Sequence, residues 1–307
     1  MKPIDQQIKA YLDDLKAALK GTDKAVIQDA LADAEEHLRT ALAAEAAEHP
    51  KPDQKEILKK IIKEYGSPEE IAEAYRSWET GRPAALAAPP SRRPTGERPE
   101  HQKHPGFLGV FGDPLSWGGL VYMLISLITG TLYFSWTVTA LSTSLGLMIL
   151  IIGIPVTILF LLSIRGLAFL EGRLVEALLG ERMPRRPAFT DPTKSWSERL
   201  KDLLLGRETW LSIIYLLLML PMGIFYFSLS FSLLVIGLAL IASPLLVWIF
   251  NVPITFVNNP GWVWQYPDWA TPLAALAGFL LITLTMHLAR GVGRLHSRFA
   301  KALLVSD

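Results

Sequence analysis

The sequence predicts an all-α protein: a small cytosolic helical domain joined to a polytopic α-helical membrane domain of two parallel repeats, with four crossings and one re-entrant or outer-leaflet hairpin. Three observations carry this reading. Between Asp113 and Arg165 there is no Asp, Glu, Lys, Arg or His, and the tract from Glu208 to Asp268 is equally bare. An uninterrupted apolar run of about 20 residues is what spans a bilayer. Charge is also unevenly divided, with 12 Lys+Arg and 17 Asp+Glu in residues 1–80 against 18 and 12 in residues 81–307. Finally, the apolar half aligns with itself.

The 307 residues divide into a head at 1–80, a linker at 81–105, a first membrane repeat at 106–180, a connector at 181–208 and a second repeat at 209–307 with an inserted segment at 236–268. There is no cysteine, which excludes disulfide scaffolds, thiolate zinc sites, thiol catalysis and iron–sulfur clusters. The start MKPIDQQIKAYLDDLKAAL is amphipathic rather than a basic patch before an apolar stretch, so the head is expected to stay on the side where it is made.

In the head, Ile4, Ile8, Leu12, Leu15 and Leu19 recur at helical spacing beside Tyr11. Gly21 ends that helix. Thr22 or Asp23 caps the next, whose stripe is Ile27, Leu31, Ala34, Leu38 and Leu42. His49-Pro50 breaks it, and Asp53 with Glu56 opens a third helix through Ile57, Leu58, Ile61, Ile62 and Tyr65. Gly66 suits a left-handed helix end. Ser67-Pro68-Glu69-Glu70 then supplies an N-cap, a proline at the first helical position and a capping-box glutamate for a fourth helix with Ile71, Tyr75 and Trp78. Four short helices bury only a small core, so the domain is marginal alone.

YLDDLKAAL, DALADAEEHL and above all EYGSPEEIAEAY resemble the HAAS signalling domain, a helical module of bacterial membrane proteins linked to PadR-type transcription regulators. The resemblance covers roughly residues 1–80 and implies protein–protein signalling without enzymatic activity. Glu36-His37-Leu38-Arg39-Thr40 echoes a histidine-kinase phosphoacceptor box, but Ala41 stands where proline is expected and no glycine-rich ATP-binding domain follows. His37 reads as a surface residue of an acidic helix.

Residues 81–105 are rich in Pro and Arg with no apolar period, as in an extended linker. Arg92, Arg93, Arg98 and Lys103 are suited either to anionic headgroups, at about 1 kcal/mol each, or to plain solvation.

In the membrane half, an offset of 93 aligns Trp117 with Trp210, Tyr122 with Tyr215, Leu124 with Leu217, Leu127 with Leu220, Gly130 with Gly223 and Tyr133-Phe134-Ser135 with Tyr226-Phe227-Ser228. Farther on the offset becomes 125. Arg165-Gly166 then meets Arg290-Gly291, Leu170 meets Leu295, Arg173 meets Arg298 and Ala177-Leu178-Leu179 meets Ala302-Leu303-Leu304. Each half reads as an opening span, a returning span and an amphipathic basic helix. Parallel repeats sit around an axis along the membrane normal. GTLYFSW, GIPVTILFLLSIRGLAFLEGRLVEALLG and HLARGVGRLHSRFAKALL resemble the Putative sensor membrane domain of bacterial signalling proteins, over roughly residues 106–304.

Nine basic residues between Arg165 and Arg207, together with Arg290, Arg294, Arg298 and Lys301, put head, connector and tail in the cytoplasm by the positive-inside rule. Spans near 115–138, 144–165, 209–231 and 270–290 satisfy this. The apolar stretch 232–250, interrupted by Pro244, reads as the re-entrant or outer-leaflet hairpin. A fifth crossing is the alternative, and it would throw the basic tail outside.

Within these spans the only ionisable groups are Arg165, His287 and Arg290 at the cytoplasmic ends, which argues against a proton pump or charged-solute carrier. No P-loop, HExxH or GxSxG occurs. His101 and His104 lack carboxylate support, so no metal, cofactor or catalytic residue is expected. Glu171, Glu176 and Glu181 among Arg173 and Arg182 read as neighbours on an interfacial helix. Arg165, Arg173, Arg290, Arg294 and Arg298 form the candidate cytoplasmic transmission surface. Trp262, Trp264, Tyr266 and Trp269, in a loop marked by Asn258-Asn259-Pro260-Gly261, are the candidate lipid or ligand contacts.

The reading is a non-enzymatic bacterial membrane sensor or signalling scaffold that relays an envelope or lipid condition to a cytosolic partner. A PadR-type regulator system is the partner implied by the HAAS resemblance. The competing reading is an accessory subunit of a transporter or other membrane complex. A lipid-handling enzyme or scramblase is weaker. Membrane lipids are expected partners, and direct nucleic-acid binding is not.

Overall fold

The computed structural model describes residues 3–48, 54–79, 106–147, 149, 153–184, 201, 203–253, 255–258 and 261–305. The linker 81–105, most of the connector and the expected cap Asp53 lie outside them. The chain divides into two compact units, one centred on the head and one on the membrane helices.

The head contains α1 (Pro3–Ala18), α2 (Lys24–Glu48), α3 (Gln54–Tyr65) and α4 (Pro68–Glu79). Its core is Ile8, Tyr11, Leu15, Leu19, Ala30, Ala34, Leu38, Leu58, Ile61 and Ala72, the apolar stripes that spacing puts on one face of each helix. The expected punctuation is in place. Asp23 accepts from the Ala25 amide at 2.8 Å, and Gly66 takes φ +115, a conformation that costs a residue with a Cβ. Ser67 and Glu70 close a reciprocal capping box: the Ser67 amide donates to Glu70 Oε2 at 2.9 Å and the Glu70 amide to Ser67 Oγ at 3.3 Å. Across the domain, Tyr11 donates to Gly66 O at 3.0 Å and Tyr75 to Asp33 at 2.6 Å. Burial, then the neighbouring Tyr65, Glu69 and Glu70, push the Tyr11 phenol up to about 12. Burial and the Asp33 bond push Tyr75 up as well. His37 is exposed and stacks on Tyr65, with centroids 4.6 Å apart.

The membrane unit contains α5 (Pro114–Leu147), α6 (Gly153–Leu179), α7 (Arg207–Trp248) and α8 (Thr271–Leu304). All four are long and apolar enough to cross a bilayer. The expected hairpin at 232–250 is not there: α7 runs unbroken for 42 residues through Pro221 and Pro244. Each proline removes one helical donor, but a helix remains the conformation that satisfies an apolar backbone without water. At 1.5 Å per residue α7 is about 63 Å long, roughly twice the hydrocarbon thickness. The returning spans and the basic helices expected after them are likewise single helices, α6 and α8.

The expected loop after α7 is a small antiparallel hairpin, β1 (Thr255–Asn258) with β2 (Trp262–Gln265), pairing Phe256 with Trp264 and Asn258 with Trp262. Alternating Val, Phe and Trp suit a strand. Gly261, at φ +100, lies just before β2.

Close helix packing depends on glycine. A Cβ on Gly130 would lie under 3.0 Å from Met219 O, and one on Gly223 under 3.0 Å from Ser126 O. Positions 126 and 219, like 130 and 223, are 93 apart, so α5 and α7 press on each other reciprocally. The helix starts match too. Trp117 Nε1 donates to Phe111 O at 2.8 Å, and Trp210 Nε1 to Leu204 O at 3.0 Å.

Candidate functional site

Six buried polar side chains meet inside the membrane unit, and every one of the four long helices contributes. From α5 come Tyr122 and Tyr133, from α6 Glu171, from α7 Tyr215 and Tyr226, and from α8 His296. Glu171, His296, Tyr122 and Tyr215 are 0% exposed. Tyr122 and Tyr215 donate to Glu171 Oε1 at 2.5 and 3.0 Å, and Tyr133 donates to Oε2 at 3.0 Å. Three hydroxyls thus donate to the two oxygens of one carboxyl group. On the other side, His296 Nε2 lies 2.5 Å from Tyr122 Oη and 3.0 Å from Tyr215 Oη, and Nδ1 lies 3.4 Å from Tyr226 Oη.

Tyr122 and Tyr215 each stand eight residues after the start of their helix, and Glu171 and His296 each eight residues before the end of theirs. The cluster therefore sits about 12 Å in from one end of each helix. Tyr226 also belongs to an apolar core with Leu120, Met123, Met286 and Ala289.

This corrects the expectation for Glu171, which is not an interfacial neighbour of Arg173 and Arg182. Its own charged helix mates look elsewhere: Arg173 pairs with Glu176 at 2.6 Å and lies over the Phe169 ring. Glu171 and His296 lie beyond the expected span ends at 165 and 290, on helices that run on to Leu179 and Leu304. A signal was present, because Tyr122 and Tyr215, Tyr133 and Tyr226, and Glu171 and His296 are all related by the offsets 93 and 125. A comparison of identities passes over a Glu aligned with a His.

The expected transmission residues are spread out. Arg290 is 7% exposed and pairs with Asp113, which also caps α5 through Ser116, at 3.3 Å. Arg165 donates to Thr209 at 3.0 Å. Each arginine thus reaches the start of the opening helix of the other half. Arg173 is half-buried, Arg294 is half-buried and Arg298 is exposed. Of the aromatic contacts, Trp262 and Trp269 are exposed at 79% and 75%. The Tyr266 hydroxyl donates to Ala270 O at 2.9 Å, and Trp264 lies on β2.

No group of three or more His, Cys, Asp or Glu side chains converges among the described residues. Residues 122–304 match the model of the Putative sensor family. The chain belongs to that family. Residues 10–74 match the HAAS model, so this member of the Putative sensor family carries a HAAS domain in front of its membrane helices. No curated protein and no solved structure matches the chain. Both matched families are signalling or sensor modules and neither is an enzyme family.

Proposed function

We propose that this Putative sensor protein registers a condition of the cell envelope or its lipids and passes it through the HAAS head to a cytosolic protein, without chemistry of its own. The observation that carries this is the six-residue cluster. One set of hydrogen bonds ties all four long helices, so displacement of any one of them alters the bonds of the rest. Packed cores and interfaces switch between discrete arrangements rather than deform smoothly, and that turns a small shift at one helix into a change at another.

In this reading the membrane is the cytoplasmic membrane, with the head and C terminus on the cytoplasmic side. The basic residues on α6 and α8, Arg173, Arg294 and Arg298 among them, then lie on the side where a partner is available. The segment that carries Trp262, Trp264, Tyr266 and Trp269 is the lipid contact at the outer leaflet. A stimulus acts only if it binds one helix arrangement better than another.

The test is co-purification from native membranes of the intact chain and of one lacking residues 1–80. A soluble regulator of the PadR type that is lost with the head, and whose retention changes under envelope stress, is the expected result. A permease–ATPase pair retained with or without the head, and indifferent to stress, would instead make the chain an accessory subunit.

A further inference from the structure

Four donor atoms of the cluster, one from each long helix, converge with the spacing of a coordination shell: Tyr122 Oη from α5, Glu171 Oε1 from α6, Tyr215 Oη from α7 and His296 Nε2 from α8. We propose that they form a binding site for a single metal ion, ferric iron, held between the four helices. The proposal concerns binding alone and stands whether or not the protein signals.

The geometry comes first. Glu171 Oε1 and His296 Nε2 are 3.9 Å apart, twice a metal–ligand bond of about 2.0 Å. That separation admits one ion between them, set off the line that joins them on the side away from Tyr122 Oη. Neighbouring ligands on such an ion are about 2.8 Å apart, from the same bond length. The Tyr122 oxygen is 2.5 Å from both Glu171 Oε1 and His296 Nε2, and the Tyr215 oxygen is 3.0 Å from both. Both phenols therefore stand beside the carboxylate–imidazole line, bracketing the expected spacing.

Around these four is a second ring of the kind that orients metal ligands. Tyr133 donates to the other carboxylate oxygen, and Tyr226 lies against the other imidazole nitrogen. Such outer partners fix the orientation of ligating carboxylates and histidines. Helical bundles build metal sites this way, with inward side chains from facing helices.

Donor type selects the ion. Three hard oxygens and one imidazole suit iron, while soft-metal sites use sulfur, of which this shell has none.

The purified full-length protein in detergent would be stripped with chelator and then offered ferric citrate or zinc sulfate, with bound metal measured by elemental analysis. One equivalent of iron with a visible phenolate-to-iron charge-transfer band is expected. Tyr122→Phe with Tyr215→Phe keeps ring volume and should abolish the band and lower iron affinity at least tenfold. Tyr133→Phe should weaken iron about tenfold or more while the band persists. Tyr266→Phe, outside the cluster, should change neither. His296→Gln should also lose iron, which guards against a double variant that does not fold. Helix content by circular dichroism is checked for each. Iron uptake equal in the wild-type and double-Phe proteins, or stoichiometric zinc with no iron, would overturn the proposal. So would no metal at all, which leaves the six side chains as a hydrogen-bonded cluster only.

Discussion

Glu171 and His296 face each other across the centre of the helix bundle, Oε1 to Nε2 at 3.9 Å, both without solvent exposure. Neither has an ion-pair partner on its own helix among the described residues. Their environment is made of phenol hydroxyls: Tyr122, Tyr133 and Tyr215 donate to the carboxyl group, and Tyr122, Tyr215 and Tyr226 lie within hydrogen-bond distance of the imidazole. A hydroxyl serves both sides at once, donating and accepting through a single oxygen. The same centre thus joins an acid and a base through Tyr122 and Tyr215 without exposing either.

The first prediction follows from the donor count at Glu171. Tyr133→Phe removes a hydroxyl that bonds Glu171 Oε2 and leaves that oxygen short of a partner. Hydrogen bonds to charged groups contribute about 1.5–3 kcal/mol. Thermal unfolding in detergent should fall accordingly, and Glu171→Ala, which takes one partner from each of three hydroxyls, should cost more. An unchanged midpoint for both would mean that the cluster does not hold the helices together.

Helix spacing gives the second. Gly130→Ala and Gly223→Ala each place a methyl group against a backbone carbonyl of the facing helix. Backbone cannot rotate aside, so α5 and α7 must separate, at a cost of about 1–3 kcal/mol. Gly166→Ala and Gly291→Ala have nothing within 4 Å and should be neutral or slightly stabilising. The four variants compared by unfolding in detergent should fall into those two pairs.

The third concerns the head at alkaline pH. The folded Tyr11 phenol titrates near 12 against an ordinary value of 10, so near those values the folded state holds a proton that the unfolded state has lost. Stability from this group is complete below pH 10 and is lost as pH rises towards 12. Amide exchange of α1 and α4 in the full chain should accelerate across that window. Tyr11→Phe should lose about 0.5–1.5 kcal/mol at neutral pH and respond less to alkali. If the variant follows the same alkaline curve, Tyr11 is not the cause.

Much of this was legible in the sequence, for reasons that differ by region. In the head, local chemistry decides: Gly66, Ser67 and Glu70 act within four residues of one another, so cap and helix start can be read directly. Four crossings followed from charge and length. The run 232–250 did not, because Pro244 signals a break only where water can take up the freed backbone groups, and in an apolar run helix continuation wins. The polar cluster is a different case. Its six members are separated by up to 174 residues and lie together only once four helices pack. Their trace in the sequence was a pair of offsets, 93 between the tyrosines and 125 between a Glu and a His.

Trp262 and Trp269 supply the fourth prediction. Both are largely exposed on the hairpin and the turn that follows it. Indole is apolar with one polar N–H, which favours the headgroup layer. Replacing both by Leu should remove the share of tryptophan fluorescence that lipids brominated near the headgroup quench best. Quenching that is deeper, or unaltered by the substitutions, would remove these residues from the outer headgroup layer.

The last prediction tests which way the chain faces, and the structure decides where to place the probe. Ser297 would be a natural site for labelling in a cysteine-free chain, but it is 3% exposed and its hydroxyl bonds Arg294 O, so a thiol there would be silent for steric reasons. Leu295, two residues back, is 69% exposed, and Trp269, just before the opposite end of α8, is 75% exposed. The 26 residues between them span about 39 Å as helix, more than the hydrocarbon core of about 30 Å. The two positions therefore belong to opposite faces of the membrane if α8 crosses it. With the basic end of α8 cytoplasmic, Leu295→Cys in intact cells should resist a membrane-impermeant maleimide and react once the membrane is opened, while Trp269→Cys should react in intact cells. Reaction of Leu295→Cys from outside would invert the proposed orientation and move the six-residue cluster to the outer end of the bundle. Reaction of both from the same side would mean that α8 does not cross at all.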